Sequence, residues 1–391
     1  MSDSPWFRAA DCRVDDLAAI TRSPTLAAEA PGAAEIEAGI PVYDCAALRE
    51  EVSRPGRREA TMAEWIHVLA EGPGVLALRG AFDDAPVLDR VTALFHELIA
   101  DERAGGAGAD HFGKAGANDR VWNALQKLCE RAPDAFADYY ANDMLALVSE
   151  AWLGPGYQVT SQLNCVNPGS AAQTAHRDYH LGVLTPPELE RFPRHVHRMS
   201  SLLTLQGAVA HVDMPIESGP TLYLPHSHKY PAGYLAIGDP GFQAFFDAHC
   251  VQLPLSRGDA VFFNPALLHA AGANRSKDIR RLGNLLQVSS AFGRPMETVG
   301  RAAMCRALYP ILHARLAAGT LGPEQARRAV ACCADGYSFP TNLDRDPPLT
   351  ALASESQAAL MLRALGEGWA PERFAAEVTA QARRRLADGI E

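Results

Sequence analysis

The chain has 391 residues, enough for one large domain or two smaller ones, with the 48% hydrophobic and 21% charged content of an ordinary globular protein. Net charge is −10 and the basic residues are mostly Arg, which speaks against a broad nucleic-acid-binding surface. No stretch approaches the roughly 18 consecutive apolar residues of a membrane span. The start, Met1 to Arg8, lacks a basic run followed by an apolar one, so no signal peptide is expected. Eight Cys are scattered without a CxxC pair or disulfide-like spacing, and a reducing cytoplasm is the simplest location.

Residues 1–45 are acidic and Ala-rich, with Pro24, Pro31 and Pro41 as breaks. They read as an irregular arm with at most one short helix, either wrapping the core or a second subunit, or loosely ordered. Thr61 to Glu71 has Met62, Trp65, Ile66 and Leu69 at helical spacing. Gly74 to Gly80 reads as a short strand bounded by Gly. Ala85 to Arg103 is an amphipathic helix, ended by the Gly/Ala run 104–108. A loop continues through Arg120 and enters Val121 to Cys129, a helix or lid. Ala132 to Trp152 reads as one further helix, closed by Gly154-Pro-Gly156.

The pattern then changes to strands: Tyr157 to Val166, His176 to Val183, Met199 to Val212, Thr221 to Leu224, Asp259 to Phe263 and Arg281 to Ser290. Many short strands with polar turns suggest a double-sheet jelly roll. From Thr298 the chain returns to helix, broken by Pro310, and Pro371 to Asp388 is a charged amphipathic helix.

The chemistry concentrates in His176-Arg177-Asp178. On a strand, side chains alternate faces, so His176 and Asp178 project to one side and can share a metal. His269, far along the chain, is the candidate third ligand. Two His and one carboxylate on one face leave positions open, which suits non-haem Fe(II). Eleven residues after His269 stands Arg280, whose guanidinium could clamp a dicarboxylate bidentately. Arg275 competes for that role, but its Gly-Ala-Asn-Arg-Ser-Lys-Asp surroundings read as a solvated turn.

HxD, a Gly-containing turn and strand running into Pro225-His-Ser-His-Lys229, a distal His and then Arg appear here in order. The set, over about residues 157–292, resembles the phytanoyl-CoA dioxygenase-like family of Fe(II)/2-oxoglutarate oxygenases. The resemblance implies a mainly β fold with flanking α-helices and a double-stranded β-helix (jelly roll, cupin-like) core with the metal in its mouth. It implies Fe(II) on His176, Asp178 and His269, and 2-oxoglutarate and O2 as co-substrates, with Arg280 on the distal carboxylate. The implied reaction is hydroxylation of a C–H bond of a small metabolite with release of succinate and CO2. Retained Asp178 favours oxygen transfer over halogenation. Desaturation or cyclisation by the same cofactor chemistry, or a non-catalytic metal-binding sensor or scaffold, are the alternatives. The domain reading is an arm at 1–45, an oxygenase domain at 46–300 and a helical appendage at 301–391.

Gln162 and Asn164 share a strand face and either hydrogen-bond co-substrate or substrate, or serve the sheet. Trp122, Asn123 and Gln126 are candidate lid residues, though helical spacing favours the core over a ligand contact for Trp122. His180 shares the expected face of His176 and Asp178. His226 and His228 have the spacing of a metal pair, but the resemblance puts their segment at a strand end, with His228 on neighbouring backbone. Arg54, Arg57 and Arg58 form the one obvious basic cluster for the phosphates of an acyl-CoA, and a solvated face explains them as well. The expected partner is a small-molecule substrate, without nucleic acid or membrane, and a homo-oligomer through the terminal extensions is compatible.

Overall fold

The computed structural model describes residues 4–105, 117–349 and 351–386. Its strands are β1 (Glu35–Glu37), β2 (Ile40–Asp44), β3 (Val75–Arg79), β4 (Asn118–Val121), β5 (Gln158–Val166), β6 (Thr204–Ala210), β7 (Leu222–Tyr223), β8 (Val251–Gln252), β9 (Ala260–Phe263), β10 (His269–Ala270) and β11 (Arg281–Ser289). Eight of them form a large sheet in the order β1-β2-β3-β9-β6-β11-β5-β4, and β10-β7-β8 form a small one. The sheets face each other across Val42, Val75, Val261, Phe263, Tyr223 and Leu267, with the Tyr223 and Phe263 rings 5.2 Å apart. This is a double-stranded β-helix of the jelly-roll kind.

The outer face of the large sheet is apolar and carries the helices. Leu163, Cys165, Leu282, Leu286 and Val288 share a core with Phe95, Phe136, Tyr139 and Tyr140. The same core takes in Met304, Leu308, Val330, Met361 and Phe374, so the C-terminal helices pack on this sheet too.

Several elements depart from the sequence reading. Residues 35–44, read as part of an irregular arm, supply β1 and β2, and β2 pairs in parallel with β3. Residues 118–121 are a strand, and helix begins only at Ala124. Residues 106–116 of the preceding loop lie outside the described residues. Residues 132–152 form two helices, Pro133–Tyr140 and Asp143–Leu153, because Asn142 breaks the run and caps the second by accepting from Leu145 N–H at 2.9 Å. Residues 199–202 belong to the helix Arg194–Leu202, and only 204–210 are strand. Pro310 does not break its helix, Arg301–Ala317, because Pro310 and Arg306 sit on the exposed face, where the freed carbonyl can meet water. Residues 176–183 are not a strand: His176 makes one isolated bridge with His269, and the chain turns away at Tyr179 and His180, both at positive φ.

The Pro225-His-Ser-His-Lys229 segment is a clasp. His228 Nε2 donates to Ala70 O at 3.1 Å, Lys229 Nζ to Glu71 O at 2.7 Å, and Ser227 Oγ accepts from Leu268 N–H at 2.8 Å. His228 presses on Gly74, where an added Cβ would lie 2.4 Å from its Nδ1 and where φ is +80°. Glycine is therefore required there twice over.

Burial pushes His228 down to about 3. In the unfolded chain an imidazole titrates near 6.5. Between those values the unfolded state binds one more proton, so this group makes stability fall as pH drops from about 6.5 towards 3. Replacing it by Gln should flatten the pH dependence of urea-unfolding free energy across that window. The difference from wild type should be about 1.4 kcal/mol per pH unit, read as the change in slope rather than in absolute stability.

Candidate metal centre

His176, Asp178 and His269 converge, with their ligand atoms all within 4.8 Å of one another. His269 Nε2 lies 3.4 Å from Asp178 Oδ2, and His176 Nε2 lies 3.8 Å from Asp178 Oδ1. The convergence comes from backbone pairing. His176 N–H donates to His269 O at 2.9 Å, His269 N–H returns to His176 O at 3.2 Å, and Asp178 N–H donates to Pro265 O at 3.1 Å.

Each imidazole is held in one tautomer by the carbonyl two residues before it. His176 Nδ1 reaches Thr174 O at 2.9 Å, and His269 Nδ1 reaches Leu267 O at 2.8 Å. A carbonyl can only accept, so Nδ1 carries the proton and each Nε2 lone pair faces the centre. Burial pushes His176 down, so it is a neutral ligand at ordinary pH. Burial opposes ionisation of Asp178, but His269, His176 and the Gln206 amide hold its carboxyl well below the usual carboxylate range. Gln206 Nε2 donates to Asp178 Oδ2, and the Phe263 ring stands edge-on to His269 at 4.8 Å. His269 is buried while His176 and Asp178 are partly open, so the set has a closed side and an accessible one. Two imidazoles and a carboxylate in this arrangement suit Fe(II) with free coordination positions.

The strand register shows what else faces the centre. Gln206 and Phe263 pair with each other, and Gln206 pairs with Gln287. Counting by twos from Gln287 along β11 puts Leu285, Gly283 and Arg281 on that face, opposite Gln162, Asn164 and Val166 of β5. Arg281 is 6% exposed, one of its terminal nitrogens has no partner, and burial pushes it down to about 10. Arg280 points the other way: its guanidinium meets Asn167 Oδ1 at 3.2 Å and Asp119 Oδ2 at 3.3 Å, and Asp119 belongs to the outer face. Arg275 is exposed.

Gln162 accepts from Arg120 at 3.0 Å, and Asn164 Oδ1 is buried without a partner. Arg120 lies over the Trp122 ring at 5.4 Å. Asn123 N–H donates to Glu297 Oε1 at 2.6 Å, and Gln126 Oε1 accepts from Asn123 Nδ2 at 3.0 Å and from Gly300 N–H at 2.8 Å. These two therefore tie down the segment after β11. His180 is held to Ser200 Oγ at 3.3 Å, and alternation from Asp178 does not reach it, because the chain has left the extended form. His226 meets Thr25 Oγ1 at 3.2 Å, within the clasp. The sequence reading passed over Gln206, and met Arg281 only as the neighbour of Arg280, one of the pair facing inward. Only Arg281 left a signal, its place beside Arg280 on an alternating strand.

The sequence profile of the family described as phytanoyl-CoA dioxygenase (PhyH) matches residues 70–282. Dioxygenase cdmD of Talaromyces verruculosus is 33% identical over 141 residues, 35% of this chain and 41% of the relative. Dioxygenase FrzG of Cladobotryum sp is 30% identical over 145 residues, 36% of this chain and 44% of the relative. The matched stretch thus spans less than half the length of these curated relatives. Among solved structures, the non-heme alpha ketoglutarate dependent epimerase SnoN from nogalamycin biosynthesis is 20% identical with a TM-score of 0.41, covering 60% of this chain and 82% of that one.

Replacing His176, Asp178 or His269 by Ala should each lower bound iron to near background in anaerobically loaded protein, with the far-UV circular dichroism unchanged. Replacing His228 by Ala should leave iron content near wild type while lowering the melting temperature. The reverse pattern would move the third ligand to the clasp.

Proposed function

The chain belongs to the phytanoyl-CoA dioxygenase family, and on that premise we propose that it is an Fe(II)/2-oxoglutarate-dependent dioxygenase that hydroxylates an unactivated C–H bond of a small metabolite. One observation carries the reading: two Nε2 atoms and one carboxylate meet within 4.8 Å with both Nδ1 protons already engaged. Fe(II) bound there would supply the reaction of O2 with 2-oxoglutarate, giving succinate, CO2 and the oxidising power to break a C–H bond. Everything else falls to the chain's own residues. His176, Asp178 and His269 would hold the metal, and Gln206 fixes the Asp178 oxygen nearest His269. The apolar layer of Val42, Val75, Val261, Phe263 and Leu267 keeps water from the closed side.

Arg281 takes the place that spacing gave to Arg280. An unpartnered guanidinium nitrogen on the metal-facing side of β11 suits the distal carboxylate of 2-oxoglutarate, whereas Arg280 is spent on Asp119 and Asn167. Burial strengthens such a contact. The orphaned Asn164 Oδ1 lies next along the same wall. The substrate does not follow from the family's name. Arg54 and Arg57 are paired with Glu51, and Arg58 with Glu150, so this cluster offers no open phosphate site.

A screen of small metabolites with Fe(II), 2-oxoglutarate and O2, read as succinate release and product mass, tests the activity. Product sixteen mass units heavier is the expected outcome, and absence of stimulated succinate with both iron and 2-oxoglutarate bound would count against it. Charge-assisted hydrogen bonds of about 1.5–3 kcal/mol imply that Arg281→Gln weakens anaerobic 2-oxoglutarate binding ten- to hundredfold. Arg280→Gln should change it less than about twofold, since exposed ion pairs contribute little. The opposite ranking would restore Arg280 as the anchor.

A further inference from the structure

Strand register gives the metal-facing wall of the large sheet two ends. Arg281 and Val166 pair at one, the end proposed above for the co-substrate carboxylate. At the other, Gln206 of β6 pairs with Phe263 and Gln287, and Thr204, two residues earlier on the same face, pairs with Ser289. The neighbouring polar side chains there are spent on the chain itself. Gln158 Nε2 donates to Ser290 O at 3.2 Å, Ser289 Oγ to Arg294 O at 3.4 Å and Thr160 Oγ1 to Gln287 O at 3.2 Å, while Gln287 Oε1 accepts from Gln162 Nε2 at 3.5 Å. Gln206 and Thr204 differ. They are 6% and 0% exposed, and Gln206 Oε1 and Thr204 Oγ1 have no partner among the described residues.

The Gln206 amide cannot be turned round. It meets Asp178 Oδ2, and an ionised carboxylate only accepts, so Nε2 lies there and Oε1 is the unspent atom. Asp178 Oδ2 is in turn 3.4 Å from His269 Nε2. One amide thus touches a metal ligand with its N–H and keeps a carbonyl oxygen in reserve beside it. The 2-oxoglutarate dianion has acceptors and no donor, so it cannot meet that oxygen. A buried acceptor without a donor is costly, which marks the atom as one that a further ligand completes.

We propose that Gln206, with Thr204 beside it, binds the substrate through a neutral hydrogen-bond donor, an amide N–H or a hydroxyl, carried on an apolar body. The proposal deepens the reading of the metal centre as the reaction site and rests on it. A carboxylate or phosphate would meet the Gln206 carbonyl acceptor to acceptor. A buried ammonium needs an anion of its own, and the carboxylate in contact with Gln206 is Asp178, which the metal uses. Same-face positions on a strand are about 7 Å apart, so one small group can reach both residues. The Thr204 hydroxyl can give or take: it accepts from a second hydroxyl, or donates to the carbonyl that accompanies an amide N–H. The carbons next to an acyl thioester carry no donor, so the acyl end of an acyl-CoA would leave Gln206 unmet.

The border of the pair gives the apolar body. Phe263, the register partner of Gln206, stands 4.8 Å from His269, and the next row along the same strands is Val261, Ala208 and Leu285. The chain entering β6 is held beside the metal segment, since Ser200 Oγ of the helix Arg194–Leu202 meets His180 at 3.3 Å in the turn after Asp178. Gln206 also couples substrate to metal. A donor on Oε1 polarises the amide and strengthens its N–H on Asp178, so binding is felt at the metal ligand.

The test uses two pairs of ring probes: 2-piperidone against N-methyl-2-piperidone, and cyclohexanol against cyclohexanone. The first of each pair has a donor and the second only accepts. Each is titrated by ligand-observed NMR into full-length protein loaded anaerobically with Fe(II) and 2-oxoglutarate, and again into metal-free protein. A donor probe should bind about tenfold more tightly than its partner, and the pair with the larger ratio tells amide from hydroxyl. The favoured probe should also shift the visible charge-transfer band of the Fe(II)/2-oxoglutarate complex. Gln206→Met should bring the ratio to about one and remove the band shift. Thr204→Val should weaken the favoured probe roughly three- to tenfold, with iron content, 2-oxoglutarate affinity and melting temperature close to wild type. A ratio near one for both pairs, no binding of either donor probe, or a donor preference that survives Gln206→Met overturns the proposal. Failure of wild type to take iron or 2-oxoglutarate strikes the reading of the metal centre instead, since the metal-free titration still reports on Gln206.

Discussion

The site depends on a pair of backbone hydrogen bonds between His176 and His269, at 2.9 and 3.2 Å. They join two segments more than ninety residues apart and set both imidazoles on the same side of the pairing. Neither segment is long enough to be a stable strand pair alone. The bridge is held by what surrounds it. On one flank β10 pairs with β7, and on the other Asp178 N–H donates to Pro265 O. Immediately beyond, Tyr179 and His180 take left-handed backbone that non-glycine residues adopt at a cost of about 1–3 kcal/mol each. That turn frees Asp178 to face the imidazoles and sends the chain away from the mouth.

Behind the bridge stands Arg177, 3% exposed. Its guanidinium donates to the carbonyls of Ser227 and Tyr230 and lies over the Tyr234 ring at 5.4 Å. Burial pushes it down to about 10, still far above neutrality, so it remains charged. Gly233 makes the room, since a Cβ there would sit 1.9 Å from Arg177 Cζ. Arg177 thus ties the residue between two ligands to the clasp, and the clasp in turn holds Leu268, the residue before the third ligand. The middle residue of HxD is a structural pin, and the Pro225 to Lys229 motif is the plate it fastens to.

The sequence was most legible where side chains alternate over a full strand. Gln162 and Asn164 do share the inner face, because β5 runs nine residues without a break. The same alternation separates Arg280 from Arg281, but the choice between them needed the register of β11 against β5 and β6. Spacing from His269 could not supply it, because residues 271–280 form an irregular loop whose length does not determine phase. Reading 176–183 as a strand placed His176 and Asp178 together correctly and extended the logic wrongly to His180. Met199 to Val212 failed for a different reason: Ser200 and Ser201 sit between apolar residues in a way that fits either period, and Pro193 at the helix start was the signal passed over.

The two faces of the large sheet explain why this fold tolerates such a site. The outer face buries an apolar layer against helices from both ends of the chain and provides the stability. The inner face is apolar at β2, β3 and β9 and turns polar at β5, β6 and β11, where buried nitrogen and oxygen atoms lack partners. Each such atom costs about 1–3 kcal/mol if nothing meets it. A chain selected for stability alone would fill those positions with Val and Leu, as it does a few residues away. Their retention is intelligible if ligands complete them, since a ligand that binds only the folded state returns free energy to it by mass action. On that argument metal, co-substrate and substrate are the missing part of the inner core, and the polar end of the barrel is the place where folding stops short so that binding can finish it.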